Sequence, residues 1–368
     1  MNKVVSESIK FARFPLAFLI IVKHYYNDKA TEVGEAVYHW LGNFSSDFFP
    51  AFVVPLFFFI SGYLFCVNVD FKKIGINQYT WFVYIDKIKK RIKTLVIPYI
   101  SWNLIVFVAL LIVQYLSGDK IQPLEKSISN IGYSDIFRSL WSITDKGNPV
   151  DSPLWFIRDL FIICLFSPII MLFIKHLKVY GLIIITLLFC AGSDLVPLGL
   201  TGPSYNCQFF FTLGAFSSYI KIRDKDLLEY FLDVNIWITS LIYILVLVLF
   251  TTTEKGTVAY NYLIRYYCIF SVIAVWPIVR CLVQKYQLSN IKHIDVLSTS
   301  SFFIFALHKP ILFVVVTVLF SFFSISNDIV LSVFILLIPS MVYVVCLAIY
   351  SIIKRHMPFL KFLNGYRL

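Results

Sequence analysis

Ten apolar runs divide this sequence, at about residues 11–27, 46–67, 94–116, 154–174, 179–192, 205–220, 234–252, 259–279, 301–323 and 328–352. Most match the roughly 20 residues that a helix needs to cross a hydrocarbon core. The fifth is the shortest, cut off by Gly192, Asp194 and Pro197. With 59% hydrophobic and only 14% charged residues, the chain lies far from soluble proteins, whose charged fraction is nearer a quarter. The expected fold class is therefore all-α: a polytopic helical membrane protein of about ten transmembrane helices. It is read as a single integral membrane domain over residues 1–368, with no appended soluble domain.

The basic residues orient the bundle. With ten spans both termini share a side, and that side collects 22 lysines and arginines against 6 on the other, which makes both termini cytoplasmic. Because these residues sit between apolar runs and form no basic soluble patch, the net charge of +11 does not imply nucleic acid as a partner. A cleavable signal peptide is the weaker reading of the N-terminus, since no A-x-A-like site follows Lys3, Lys10 and the first apolar run.

Two loops stand out. The inner WFVYIDKIKKRIK segment, 81–93, alternates aromatic and aliphatic residues with lysines at helical spacing. It suits an amphipathic helix on the anionic inner leaflet or a contribution to a phosphate-bearing ligand. The outer loop, 117–153, carries Asp119, Asp135, Asp145, Asp151, Trp141 and a Gly147-Asn148-Pro149 turn; it is either a solvated connector or a cover over an outward-facing site. The seven cysteines fall mostly in or beside apolar runs without metal-type spacing, so they read as small core residues and no metal site is expected.

The ionisable residues inside apolar runs carry the chemistry. Arg13 and His24 share the first run, FARFPLAFLIIVKHYY, and eleven helical steps separate them by about 16 Å. Arg13 then lies near the cytoplasmic face and His24 in the outer half. Ser61, Tyr63, Tyr99 and the basic run ending at Lys93 are expected near the level of Arg13, an inner group suited to an anionic ligand. Arg158 and Asp159, with Arg265 and Asp47 as further members, are expected beside His24 in an outer group. His308 is expected about 10 Å into the membrane from the inside. His24 is the candidate base, because imidazole takes up and returns protons near neutrality. Each residue also has a plainer reading. Arg13 can snorkel, His24 can simply pack, Ser61 and Gly62 can be helix-packing residues, and His308 before Lys309-Pro310 can mark a kink. Arg158 and Asp159, consecutive on a helix, are expected to find their partners elsewhere.

Five segments in order resemble the acyltransferase 3 family of integral membrane acyltransferases. They are R-x10-H at Arg13 and His24, FFFISGYLF at 57–65, KRIKTLVIPYISW at 90–102, PLWFIRDLF at 153–161, and SFFIFALHKPIL at 301–312. Thr94 stands where a further basic residue is expected. The resemblance implies transfer of an acyl group, usually acetyl from acetyl-CoA, to a hydroxyl of a glycan or glycolipid outside the cytoplasmic (inner) membrane. On that basis Arg13, Ser61, Tyr63, Lys93 and Tyr99 are expected to hold the CoA thioester. His24 would act as base or acyl carrier, with Arg158 or the donors around His308 stabilising the oxyanion. Membrane lipids and the acceptor are the remaining expected partners. The competing reading is a secondary transporter or a flippase for lipid-linked sugars, which also uses intramembrane Arg, His and Asp. A non-catalytic envelope partner is a third.

Overall fold

The computed structural model describes residues 2–26, 34–118, 124, 126–141, 147–192, 203–222, 224–286, 292–323, 325 and 327–366. Its helices are α1 (Lys3–Tyr26), α2 (Ala36–Asn43), α3 (Val53–Cys66), α4 (Asn77–Arg91), α5 (Ile97–Leu116), α6 (Tyr133–Trp141) and α7 (Trp155–Leu165). They continue with α8 (Ser167–Ala191), α9 (Tyr205–Tyr219), α10 (Leu227–Asp233), α11 (Ile236–Thr251), α12 (Val258–Lys285), α13 (Lys292–Phe322) and α14 (Asp328–His356). Among the described residues the only strands are a two-residue antiparallel pair, Lys221–Ile222 with Lys225–Asp226.

All ten apolar runs lie on helices, and the protein is an all-α multi-pass membrane protein. Six described helical stretches are individually long and apolar enough to cross a membrane: Ala36–Cys66, Gln78–Leu116, Ser167–Ala191, Val258–Lys285, Ile294–Phe322 and Asp328–His356. The predicted fourth and fifth spans share α8, which Lys178 interrupts with φ 50° and ψ −130°. The predicted seventh follows a 94° bend between α10 and α11.

Ends rich in lysine gather on one face of the bundle. Lys10, near the start of α1, pairs with Asp295 near the start of α13. Lys87 donates to the Phe65 carbonyl at the end of α3, and Lys175 to the Ile74 carbonyl. The C-terminal turn, Pro358–Asn364, returns to this end, where the Leu363 carbonyl accepts from Trp102 Nε1 at 2.8 Å. Asn364 is wedged into α13: its Nδ2 donates to the Thr299 carbonyl at 2.9 Å and its Oδ1 accepts from Phe303 N–H at 3.1 Å. Those two backbone groups are four residues apart on α13, so the amide clamps one turn of the helix.

The segment after α5 runs back down that helix, which the sequence did not suggest. Near the far end of α5, Gln114 donates to the Lys126 carbonyl at 2.7 Å. Fifteen residues earlier, about 22 Å along the axis, the Tyr99 hydroxyl donates to the Leu140 carbonyl. Between them Asn103 Oδ1 accepts from Asp151 N–H at 3.1 Å. At the mouth of this segment a 2.5 Å hydrogen bond from Lys126 and one from Gly132 N–H hold the Asp135 carboxyl below its usual range. Residues 126–141 and 147–154 are thus more than a connector over the outer face, and Asp119 and Asp145 lie outside the described residues. Irregular backbone at such depth is tolerated where protein satisfies its polar groups.

Helices α3 and α9 pack closely, and two glycines make it possible. A Cβ at Gly62 would strike the Phe211 carbonyl, and one at Gly214 would strike the Phe59 carbonyl. Both obstacles are backbone, so neither yields by a rotamer change. Gly62→Ala or Gly214→Ala is expected to destabilise the protein by about 1–3 kcal/mol, the usual cost of overpacking. Thermal unfolding in detergent measures this, and an unchanged transition temperature would refute the packing argument.

Candidate active site

Because Lys10 meets Asp295 at the basic end, α1 and α13 start together and run parallel. Fourteen residues beyond Lys10 stands His24, and thirteen beyond Asp295 stands His308. Both are about 20 Å further along their helices. Their rings lie side by side, with centroids 5.3 Å apart. His308 is at the same depth as His24, deeper than predicted, because α13 begins at Lys292 and not near residue 301. His308 is fully buried, and His24 is half-buried.

The hydrogen bond from His308 to the Phe305 carbonyl, 2.6 Å, fixes the tautomer. A carbonyl only accepts, so Nδ1 carries the proton and neutral His308 presents the lone pair of Nε2. That nitrogen is buried without a hydrogen-bond partner. In this form His308 accepts a proton or a hydrogen bond, and it is no oxyanion donor until it is protonated.

Between the ion pair and the histidines a cavity of about 220 Å³ opens among α1, α3, the α4–α5 junction, α7 and α13. Arg13 and Arg91 both line it, with Ser61, Ser298 and Ser301. Its apolar walls include Phe57, Phe156 and Phe305. Phe305 connects the cavity to the histidines, being the residue whose carbonyl His308 holds. No carboxylate lines the cavity, and among the described residues neither arginine forms an ion pair. Two guanidinium groups lining one cavity without a counter-charge have the chemistry to hold an anion.

A cationic cavity that leads to paired imidazoles fits transfer of a group from an anionic carrier, and comparison with known families agrees. A family model described as an acyltransferase domain matches residues 7–353. The chain belongs to this acyltransferase family. Comparison with curated proteins and with solved structures found no match.

The remaining predicted site residues of the acyltransferase lie elsewhere. Tyr63 is two residues from Ser61 and so faces away from it on α3. Its hydroxyl donates to Asp226 Oδ2 at 2.8 Å, while Asp226 Oδ1 caps α10 by accepting from Glu229 N–H. Tyr63 therefore fastens α3 to α10 and does not line the cavity. Lys93 is two residues from Arg91. It is exposed, with its ammonium 4.6 Å from the Tyr366 ring centroid, whereas Arg91, Thr94 and Leu95 share the cavity face. Tyr99 does not line the cavity either; its hydroxyl donates to the Leu140 carbonyl of the returning segment.

Arg158 and Asp159 correct another expectation, for they pair with each other. The long arginine side chain curls back so that Nε and Nη2 both reach Asp159 Oδ1, at 3.2 and 3.0 Å. Nη1 donates to the carbonyls of Trp141 and Gly147 at 2.8 and 2.6 Å. Four of the five N–H donors are thereby committed, which leaves Arg158 poorly suited to an oxyanion and well suited to holding the returning segment. Asp47 pairs with Lys255 at 2.7 Å, and the Arg265 guanidinium lies over Tyr205 and Tyr262. Arg91, Ser298 and Ser301 were missed as cavity residues. Their signal was present in the three-residue spacing of Arg91 to Thr94 and of Ser298 to Ser301. Among the described residues no cluster of His, Cys, Asp or Glu could hold a metal.

Proposed function

We propose that this membrane acyltransferase moves an acetyl group from acetyl-CoA, entering at the basic, cytoplasmic end, to a hydroxyl of a glycan or glycolipid on the other side of the inner membrane. The observation that supports this most is the arginine-lined cavity ending one helical turn below the His24–His308 pair. Arg13 and Arg91 bind phosphate groups of CoA, and the aromatic walls enclose the pantetheine arm. From Arg13 to His24 is about 16 Å along α1. An arm of about thirteen bonds from phosphate oxygen to acyl carbon, extended at about 1.2 Å per bond as in a peptide, covers that distance.

At the far end neutral His24 takes the proton of the acceptor hydroxyl as its oxygen attacks the thioester carbon. The new C–O bond forms, the C–S bond breaks, and the departing thiolate takes the proton back from His24. His308, with its lone pair toward solvent-free space beside His24, receives a hydrogen bond from the imidazolium and keeps its ring in place. Purified protein given labelled acetyl-CoA and candidate glycans tests the proposal. Label appearing as an ester on the glycan supports it, whereas acceptor flux across liposomes without esterification supports a transporter.

A further inference from the structure

Among the described residues Asp151 is the least explained ionisable side chain. Its side chain is buried, with the residue 1% exposed, and neither carboxylate oxygen has a hydrogen-bond partner. Burying an ionisable group is costly unless something satisfies it, so an unsatisfied one marks a function more often than a packing choice. Its backbone is held firmly: Asp151 N–H donates to Asn103 Oδ1, and Asn103 Nδ2 donates to the Tyr99 carbonyl at 2.8 Å. The returning segment therefore delivers this carboxylate to a fixed place and leaves its oxygens unused.

That place adjoins the histidines. The turn that follows Asp151, Ser152–Leu154, packs against α13. Lys309, next to His308 and half-exposed, lies within electrostatic reach of both Asp151 and His24. Asp151 Oδ1 and Oδ2 are thus two unused acceptors, on a turn that packs against the helix carrying His308, the neighbour of His24. A hydroxyl-rich molecule supplies what is missing, because hydroxyls on adjacent carbons donate one hydrogen bond to each carboxylate oxygen.

We propose that Asp151 is an acceptor-binding residue that accepts hydrogen bonds from two neighbouring hydroxyls of a polyol and presents an adjoining hydroxyl to His24. This rests on the acyl-transfer reading and adds a substrate class to it, an acceptor with a vicinal diol. Asn103 and Arg158 serve it as positioning residues.

The test is steady-state kinetics of the full-length protein in detergent with acetyl-CoA. It compares a vicinal-diol sugar with the same sugar lacking one of the two hydroxyls. Asp151→Asn is expected to raise the KM for the diol by about tenfold or more, the worth of a hydrogen bond to a charged group, and to erase the preference for the diol. The KM for acetyl-CoA stays within about twofold. Should the variant fail to fold, wild type alone decides, by favouring the diol over its deoxy analogue by about tenfold. An active wild type without that preference, or an Asn variant with an unchanged acceptor KM, overturns the inference alone. A wild type that acetylates no acceptor overturns the acyl-transfer reading and this inference with it.

Discussion

Replacing His24 with alanine is expected to lower acetyl transfer by about 10²–10⁴-fold, the range over which a positioned general base acts. The same change leaves the protein folded and membrane-inserted. His24 is half-buried at the far end of α1, and the helix is anchored by other residues, among them Leu16, Ile20 and Tyr25 on its buried faces. Binding of CoA persists in this variant, because the arginine-lined cavity lies about 16 Å back along the helix. Turnover measured together with CoA affinity separates the two functions. Near-normal turnover in His24→Ala would remove the imidazole from the mechanism. If His24 carries the acetyl group itself, a brief reaction of wild type with labelled acetyl-CoA and no acceptor leaves label on the protein.

The arginines give the opposite pattern. Arg13→Ala and Arg91→Ala are each expected to weaken donor binding by about tenfold to a hundredfold, since a hydrogen bond to a charged group is worth about 1.5–3 kcal/mol. Turnover at saturating acetyl-CoA changes little, because neither guanidinium reaches the reacting carbon. The two line one cavity, so the double variant is not expected to show the simple sum of the single effects. Arg13→Lys restores less than its charge suggests, for an ammonium lacks the planar fork that grips a phosphate through two hydrogen bonds. A donor KM unaffected in Arg91→Ala would show that this side chain serves the membrane surface instead.

Much of this fold was legible because long apolar runs permit little besides helices in lipid. Arg13 and His24 were visible for the same reason, as ionisable residues in a run that otherwise excludes them. Face assignments were less legible. Ser61 and Tyr63, or Arg91 and Lys93, look equivalent along the chain, yet two residues on a helix turn a side chain to the other face. The Arg158–Asp159 pair escaped because spacing rules describe Cβ positions, while a long side chain can fold back on itself. The depth of His308 depended on where α13 begins, and a polar first turn such as Lys292–Asp295 reads as loop in hydropathy alone. Least legible were contacts between distant parts of the chain. Nothing local announces that Asn364 clamps a turn of α13 at Thr299 and Phe303, or that the segment after α5 returns to Tyr99. Such contacts depend on the assembled bundle.

In the proposed mechanism one site is reached by the donor from the basic end and by the acceptor from the opposite end. Oriented proteoliposomes test it most directly. With acetyl-CoA confined to the side of the basic end and a membrane-impermeant polyol confined to the other, acetyl ester is expected on the polyol and free CoA on the donor side. Arg13→Ala should raise the acetyl-CoA concentration needed, and His24→Ala should lower the product by about 10²–10⁴-fold. Acetylation only when donor and acceptor share a compartment would contradict it.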